Sequence, residues 1–121
     1  MRVKNYRELI VWQKSMEAAK EVYSLVNRLP KEEFFSLSDQ MRRAVVSIPS
    51  NIAEGYGRGS DTEFAHYLRI SHGSLSELET QLLLCTTIGY LKEEEIANEM
   101  NILDEIGKMI NSLLTKLKTT K

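Results

Sequence analysis

Apolar residues recur three and four positions apart along almost the whole chain, and that spacing constrains the fold more than any other feature. Leu9, Trp12, Met16, Ala19, Tyr23 and Val26 form a first stripe. Leu37, Met41, Val45, Ile48 and Ile52 form a second. Phe64, Leu68, Ser71, Leu75, Leu78, Leu82 and Cys85 form a third, and Ile96, Met100, Leu103, Ile110, Leu114 and Leu117 a fourth. Successive helical residues turn by about 100°, so this spacing gathers each set on one helical face. No segment alternates as a half-buried strand would. Short breaks, "RLPKEEFFS", "GYGRGS" and "GYLKEEE", separate the stripes. The prediction is an all-α, antiparallel up-down-up-down four-helix bundle, with residues 1–121 as one domain.

The stretch "SIPSNIAEGYGRGS" tests that reading. The apolar register runs through Pro49, so the second helix is expected to continue there with a kink. An interior proline removes one backbone donor and costs about 3 kcal/mol in an isolated helix. Gly55 or Gly57 is expected to take the left-handed conformation that ends the helix. Ser60 and Glu63 stand as a capping box that starts the third helix. Pro30 before Glu32 and Glu33 suggests a single extra turn. As a phosphate cradle the stretch fails, having neither the Walker spacing nor a strand-linked G-x-G-x-x-G.

Catalytic constellations are missing from the pattern. Glu63 and His66 make one E-x-x-H pair, but a di-iron bundle needs two, and the other histidine, His72, has Arg69 three residues before it. Ser71 and His72 are adjacent and diverge around the helix. Cys85 lies on the third stripe and reads as a small buried hydrophobe. No enzyme activity, metal or cofactor is expected. A single cysteine gives no intrachain disulfide. No apolar run reaches the roughly 20 residues of a membrane span, and the N-terminus lacks a signal-peptide core. A soluble, cytoplasmic protein is expected.

Charge is balanced overall, with 16 basic against 17 acidic residues, but the topology sorts it. Both termini and the turn between the second and third helices share one end. That end collects Arg2, Lys4, Arg7, Arg58, Lys116, Lys118 and Lys121, candidates for nucleic-acid phosphates; the alternative is a set of solvated terminal cations. The opposite end carries Glu32, Glu33, Asp39, Glu93, Glu94, Glu95 and Glu99. A second polar cluster, Arg42, Arg43, Asn51, Glu54, Glu77 and Glu79, reads as interhelical ion pairing that fixes register, or else as an arginine pair offered to phosphate or a neighbouring subunit. Tyr6, Trp12, Phe34, Phe35, Tyr56, Tyr67 and Tyr90 exceed what narrow stripes hide, which points to subunit contacts.

The chain also resembles the four-helix-bundle proteins encoded within intervening sequences of bacterial 23S ribosomal RNA genes. N-I-A-E-G-x-G-R at Asn51 to Arg58 and G-S-L-x-E-L-E at Gly73 to Glu79 carry the resemblance, and "YRELIVWQKSMEAAKEVYSL" fits the family's opening helix. The resemblance implies a four-helix bundle and, as in related members, a ring-shaped homopentamer. It also connects the chain to accessory proteins of diversity-generating retroelements, which bind nucleic acid and a reverse transcriptase through a positively charged surface. This chain departs from them in its near-neutral charge. It supplies no catalytic residues. Together these readings give a non-enzymatic oligomeric bundle that binds RNA or DNA phosphates without reading bases, with a protein-interaction adaptor that binds no nucleic acid as the alternative. Further copies of the chain are the expected partners, and no membrane is.

Overall fold

The structure, a computed structural model, describes residues 4–117. Four α-helices follow one another: α1 (Ile10–Val26), α2 (Leu37–Gly57), α3 (Asp61–Thr87) and α4 (Glu93–Lys116). Single 3-10 turns at Tyr6–Glu8 and Lys31–Glu33 precede α1 and α2, and no strand occurs among the described residues. Each helix packs on its two neighbours around a square, α1 on α2 and α4, α3 on α2 and α4.

Cross-helix bonds fix the directions. From one end to the other, Tyr67 meets Glu54, Ser71 meets Ile48, Ser74 meets Ser47, and Cys85 meets Met41. Lys14 meets Glu105, Glu21 meets Asn98, and Arg28 meets Glu95. Rising numbers face falling numbers in both sets, so α2 runs antiparallel to α3 and α1 to α4, which is consistent with the expected up-down-up-down bundle.

The second and third stripes enter the core as read: Met41, Val45, Ile48, Ile52, Leu68, Ser71, Leu78, Leu82 and Cys85 are fully buried. The first enters only in part: Val26 is buried and Leu9, Trp12 and Ala19 pack half-buried against the core, but the main buried line of α1 is Val11, Ser15, Ala18, Val22 and Leu25, and Met16 and Tyr23 are each 46 % exposed. The two sets share the same spacing and differ by one residue, a rotation of about 100°. In α4 the core runs Ile96, Leu103, Ile106 and Ile110.

Helix α2 passes through Pro49, whose ring is buried. The ring crowds the carbonyl four residues earlier, so this is where the bend in α2 is expected. The Ser71 hydroxyl donates to the Ile48 carbonyl beside it at 2.9 Å. The glycine expectation needs correction: Gly55 and Gly57 are both helical, and Gly59 takes the left-handed conformation at φ +86°. Gly55 serves another purpose. A Cβ there would collide with Tyr67 Cβ, so its hydrogen lets α2 and α3 close. Ser60 Oγ accepts from the Glu63 amide at 3.1 Å and caps α3. Glu95 reaches back to the Lys92 amide at 2.9 Å to start α4.

Candidate interaction surfaces

Lys4, Arg7, Arg58 and Lys116 are all exposed, and the topology puts them at one end of the bundle. Leu9 and Ile10 share a groove with Ser112 and Leu113 there, and Tyr6 and Trp12 share another with Ala53. Arg2, Lys118 and Lys121 lie outside the described residues. Two of the four cations are committed locally. Arg58 donates to Glu54 Oε2 at 2.8 Å and to the Tyr67 hydroxyl at 2.8 Å, and its guanidinium lies over the Tyr67 ring. The hydrogen bond from Arg58 holds the Glu54 carboxyl below its ordinary range, and Glu54 in turn raises Arg58. Arg7 Nε donates to Asn5 Oδ1 at 3.1 Å. Lys4 and Lys116 form no ion pair with any described residue.

The second polar cluster separates into parts. Arg42 donates to the Phe34 carbonyl at 2.9 Å and stacks over the Phe34 ring. Arg43 closes on Asp39 at 2.9 Å, one turn back on its own helix, and that bond raises its pKa. Asn51 donates to the Ser47 carbonyl and hydroxyl, and the Ser74 hydroxyl completes a hydroxyl-amide chain across α2 and α3. Glu54 belongs with Arg58 at the basic end. Glu77 stands exposed on α3. Glu79 faces α4 in a groove shared with His72, Asp104 and Lys108. Burial raises its carboxyl first, His72 lowers it, and Asp104 raises it further. Arg42 and Arg43 therefore do not meet Glu77 or Glu79. Glu79 faces α4 whereas Arg42 and Arg43 border Tyr23 on the α1 side of α2, and Asp39 at i,i+3 and i,i+4 is the nearer partner. The cross-helix pairs Lys14–Glu105 and Arg28–Glu95 join α1 and the turn after it to α4.

At the other end, two acids stand apart from the solvated ones. Glu33 accepts from the Ser36 hydroxyl at 2.7 Å, the Tyr90 hydroxyl at 2.8 Å and the Leu37 amide at 3.3 Å. These bonds lower its pKa, Ser36 contributing most, and they tie the α1–α2 loop to the α3–α4 loop. Glu99 is only 7 % exposed and sits on the core line of α4 with Leu103, Ile106 and Ile110. One of its carboxylate oxygens, Oε1, has no hydrogen-bond partner. Burial pushes its pKa up, Glu21 adds to the rise, and its own amide and Arg28 oppose it.

A surface that the sequence misassigned to the core lies along α1 and α2. Tyr6, Trp12, Met16 and Ala19 line a groove of about 360 Å³ with Val46, Pro49, Ser50 and Ala53. Tyr23, Arg42 and Arg43 continue it past Val46 toward the acidic end. Tyr6 and Trp12 pack edge to face at 5.4 Å between centroids. The signal was present in the sequence as two overlapping stripes on α1, of which only one can face a four-helix core. Elsewhere Ile70, Leu83 and Leu84 on α3 are exposed, as are Ile88 just past its end and Phe35 before α2.

Among the described residues no group of three His, Cys, Asp or Glu side chains is placed to hold a metal ion, and no helix is long and apolar enough to cross a membrane.

The family model described as 23S rRNA-intervening sequence protein matches residues 7–112. The chain is similar to a crystal structure of a protein with unknown function from the S23 ribosomal protein family of Bacteroides thetaiotaomicron VPI-5482. The match has 29% identity, covers 88% of this chain and 100% of that one, and has a TM-score of 0.81. No curated protein matches.

Proposed function

The chain belongs to the 23S rRNA-intervening sequence protein family, and on that premise we propose that it is a non-enzymatic four-helix bundle that acts as a self-assembled oligomer. The apolar α1–α2 surface carries this reading. The core is already filled from all four helices, yet Met16, Tyr23 and Val46 stand 42–46 % exposed in one continuous band beside Trp12 and Pro49. Contiguous exposed apolar surface of this kind marks a protein contact, and the half-exposed aromatics fit the composition of interface cores. The resemblance implies five subunits. Light scattering on the purified protein at micromolar concentration tests the reading: a mass that is a whole multiple of 13.9 kDa supports it, and a monomer at every concentration refutes it.

A second reading concerns what the oligomer holds. Lys4, Arg7 and Lys116 are exposed on elements that an up-down-up-down chain would bring to one end, and the family's description names a 23S rRNA intervening sequence. We propose that these cations contact phosphates of structured RNA, repeated once per subunit around the assembly. Phosphate contacts carry no base information, so binding through these cations would ignore sequence. Each neutralised phosphate releases counterions, so affinity should fall steeply with salt. Anisotropy with labelled structured RNA and duplex DNA reads this. Tight binding at low salt that collapses near physiological salt supports phosphate contact. Absence of binding at both salts removes it and leaves a protein-interaction adaptor.

A further inference from the structure

Phe35, in the loop between α1 and α2, is 89 % exposed, more than any other large apolar side chain among the described residues. Its ring stands edge-on to that of Phe34, with centroids 4.8 Å apart. Both rings line a groove of about 420 Å³, a size typical of small-molecule sites, whose apolar wall is Val26, Leu29 and Pro30.

The rest of the lining is polar and largely uncommitted. Ser38 is only 3 % exposed, and its hydroxyl bonds to no described residue. A buried hydroxyl without a partner is costly. Arg42 lies over the Phe34 ring and donates from Nη2 to the Phe34 carbonyl. Its Nε and Nη1 donors bond to no described residue. Lys31 is exposed and in no ion pair with any described residue, and Asn27 adds an exposed amide. Among the described residues no Asp or Glu lines the groove. Glu33 is taken up by Ser36 and Tyr90, and Asp39 closes on Arg43 at 2.9 Å while standing 3.9 Å from Arg42.

We infer that this groove binds an unpaired nucleotide, free or within a single strand. The base stacks on the open ring of Phe35. Its edge meets the Ser38 hydroxyl and the Asn27 amide, each of which can both donate and accept. Lys31 and the spare donors of Arg42 hold the phosphate. An acidic peptide would suit the cations and the rings, but its apolar side chain would leave Ser38 unanswered, whereas a base edge carries both donors and acceptors. The site follows α1, while Lys4 and Arg7 precede it. It depends neither on self-assembly nor on the phosphate contacts proposed for those cations.

The test titrates the full chain with ribonucleoside monophosphates by calorimetry and with a short labelled single-stranded RNA by anisotropy. Phe35→Ala and Lys31→Gln remove exposed side chains, and circular dichroism checks that both variants fold. The expected result is binding that Phe35→Ala weakens about fivefold to a hundredfold, the loss of one stacked base. Lys31→Gln should weaken binding of the phosphate-bearing ligands and leave that of the bare nucleosides unchanged. Binding of the monophosphates assigns the groove to free nucleotides; binding of the strand alone assigns it to an unpaired base within a strand. No binding of either, even at millimolar nucleotide, overturns the inference, as does an acidic phenylalanine-containing peptide bound in their place. Strand binding that is lost in Lys116→Gln and unchanged in Phe35→Ala also overturns it, and leaves the phosphate contacts of the basic end standing.

Discussion

Replacing Glu99 should stabilise the protein at neutral pH. Glu99 is 7 % exposed on the core line of α4, and its Oε1 has no partner. A buried polar atom without a hydrogen bond costs about 1–3 kcal/mol, so Glu99→Leu, which removes the oxygen and keeps an apolar side chain among Leu103 and Ile106, should recover that amount. For a domain of this size 1 kcal/mol moves Tm by about 3–5 °C, so the gain at pH 7 is about 3–15 °C. The pH dependence follows from the direction of its shift. Burial raises the folded pKa above the unfolded value, so the folded state holds the proton more tightly. The contribution of the protonated acid is fully present below the unfolded pKa and is lost as pH rises through the folded one. Wild-type Tm should therefore decline relative to Glu99→Leu as pH rises from about 4 toward 7, near and above the ordinary glutamate range. Glu99→Gln, which removes only the charge, should flatten that decline. Melting curves by circular dichroism for the three proteins at pH 4, 5.5 and 7 measure both effects. A Glu99→Leu protein that melts at or below wild type at pH 7 would refute the reasoning, because the carboxylate would then have a partner worth keeping.

Gly55→Ala should lower stability by about 1–2 kcal/mol: an added Cβ collides with Tyr67 Cβ, and overpacking of about 1–3 kcal/mol outweighs the helix propensity gained. Gly73→Ala, where the Cβ meets nothing, should raise it by about 0.5–1 kcal/mol, and urea unfolding of both variants reads the contrast. Glu33 behaves oppositely to Glu99. Its hydrogen bonds from Ser36, Tyr90 and Leu37 lower its folded pKa, so its stabilising contribution is present above the unfolded value and lost as pH falls through the folded one. Melting of Glu33→Gln should lie below wild type at pH 7 and converge on it under acid conditions; equal Tm at pH 7 would show that the loop-to-loop tie carries no stability.

How much was readable in advance differs from helix to helix. In α2 and α3 the flanking apolar residues, Val46, Ile70, Leu83 and Leu84, form no continuous rival stripe, so Met41 to Ile52 and Leu68 to Cys85 admit one main burial face. In α1 both Val11–Ala18–Val22–Leu25 and Trp12–Met16–Ala19–Tyr23 are apolar, and periodicity alone cannot choose between faces 100° apart. The bulkier set, with the aromatics, was taken for core and lies at its edge, with Trp12 and Ala19 half-buried against it and Met16 and Tyr23 exposed. Capping chemistry at Ser60 was legible because it is local. The helix end was not, because Gly55, Gly57 and Gly59 are equivalent to a propensity argument, and only the approach of Tyr67 distinguishes Gly55. Among the candidate site residues, Arg58 with Glu54 and Arg43 with Asp39 sit at i,i+4, a spacing visible in the sequence. The contact between Glu33 and Tyr90 joins residues 57 apart and needs the folded chain. Glu99 escaped notice because a carboxylate on a core line looks, in sequence, like one more acid in an acidic run.

The central claim, self-assembly through the α1–α2 surface, has a built-in reporter. Trp12 is the single tryptophan, and it lines that groove beside Tyr6 and Met16. Its emission should be recorded across a dilution series from high micromolar to nanomolar protein, with mass followed in parallel. The account predicts blue-shifted emission in the assembled protein that moves to the red as the mass falls to 13.9 kDa. A monomeric mass with emission unchanged over the whole series would contradict it.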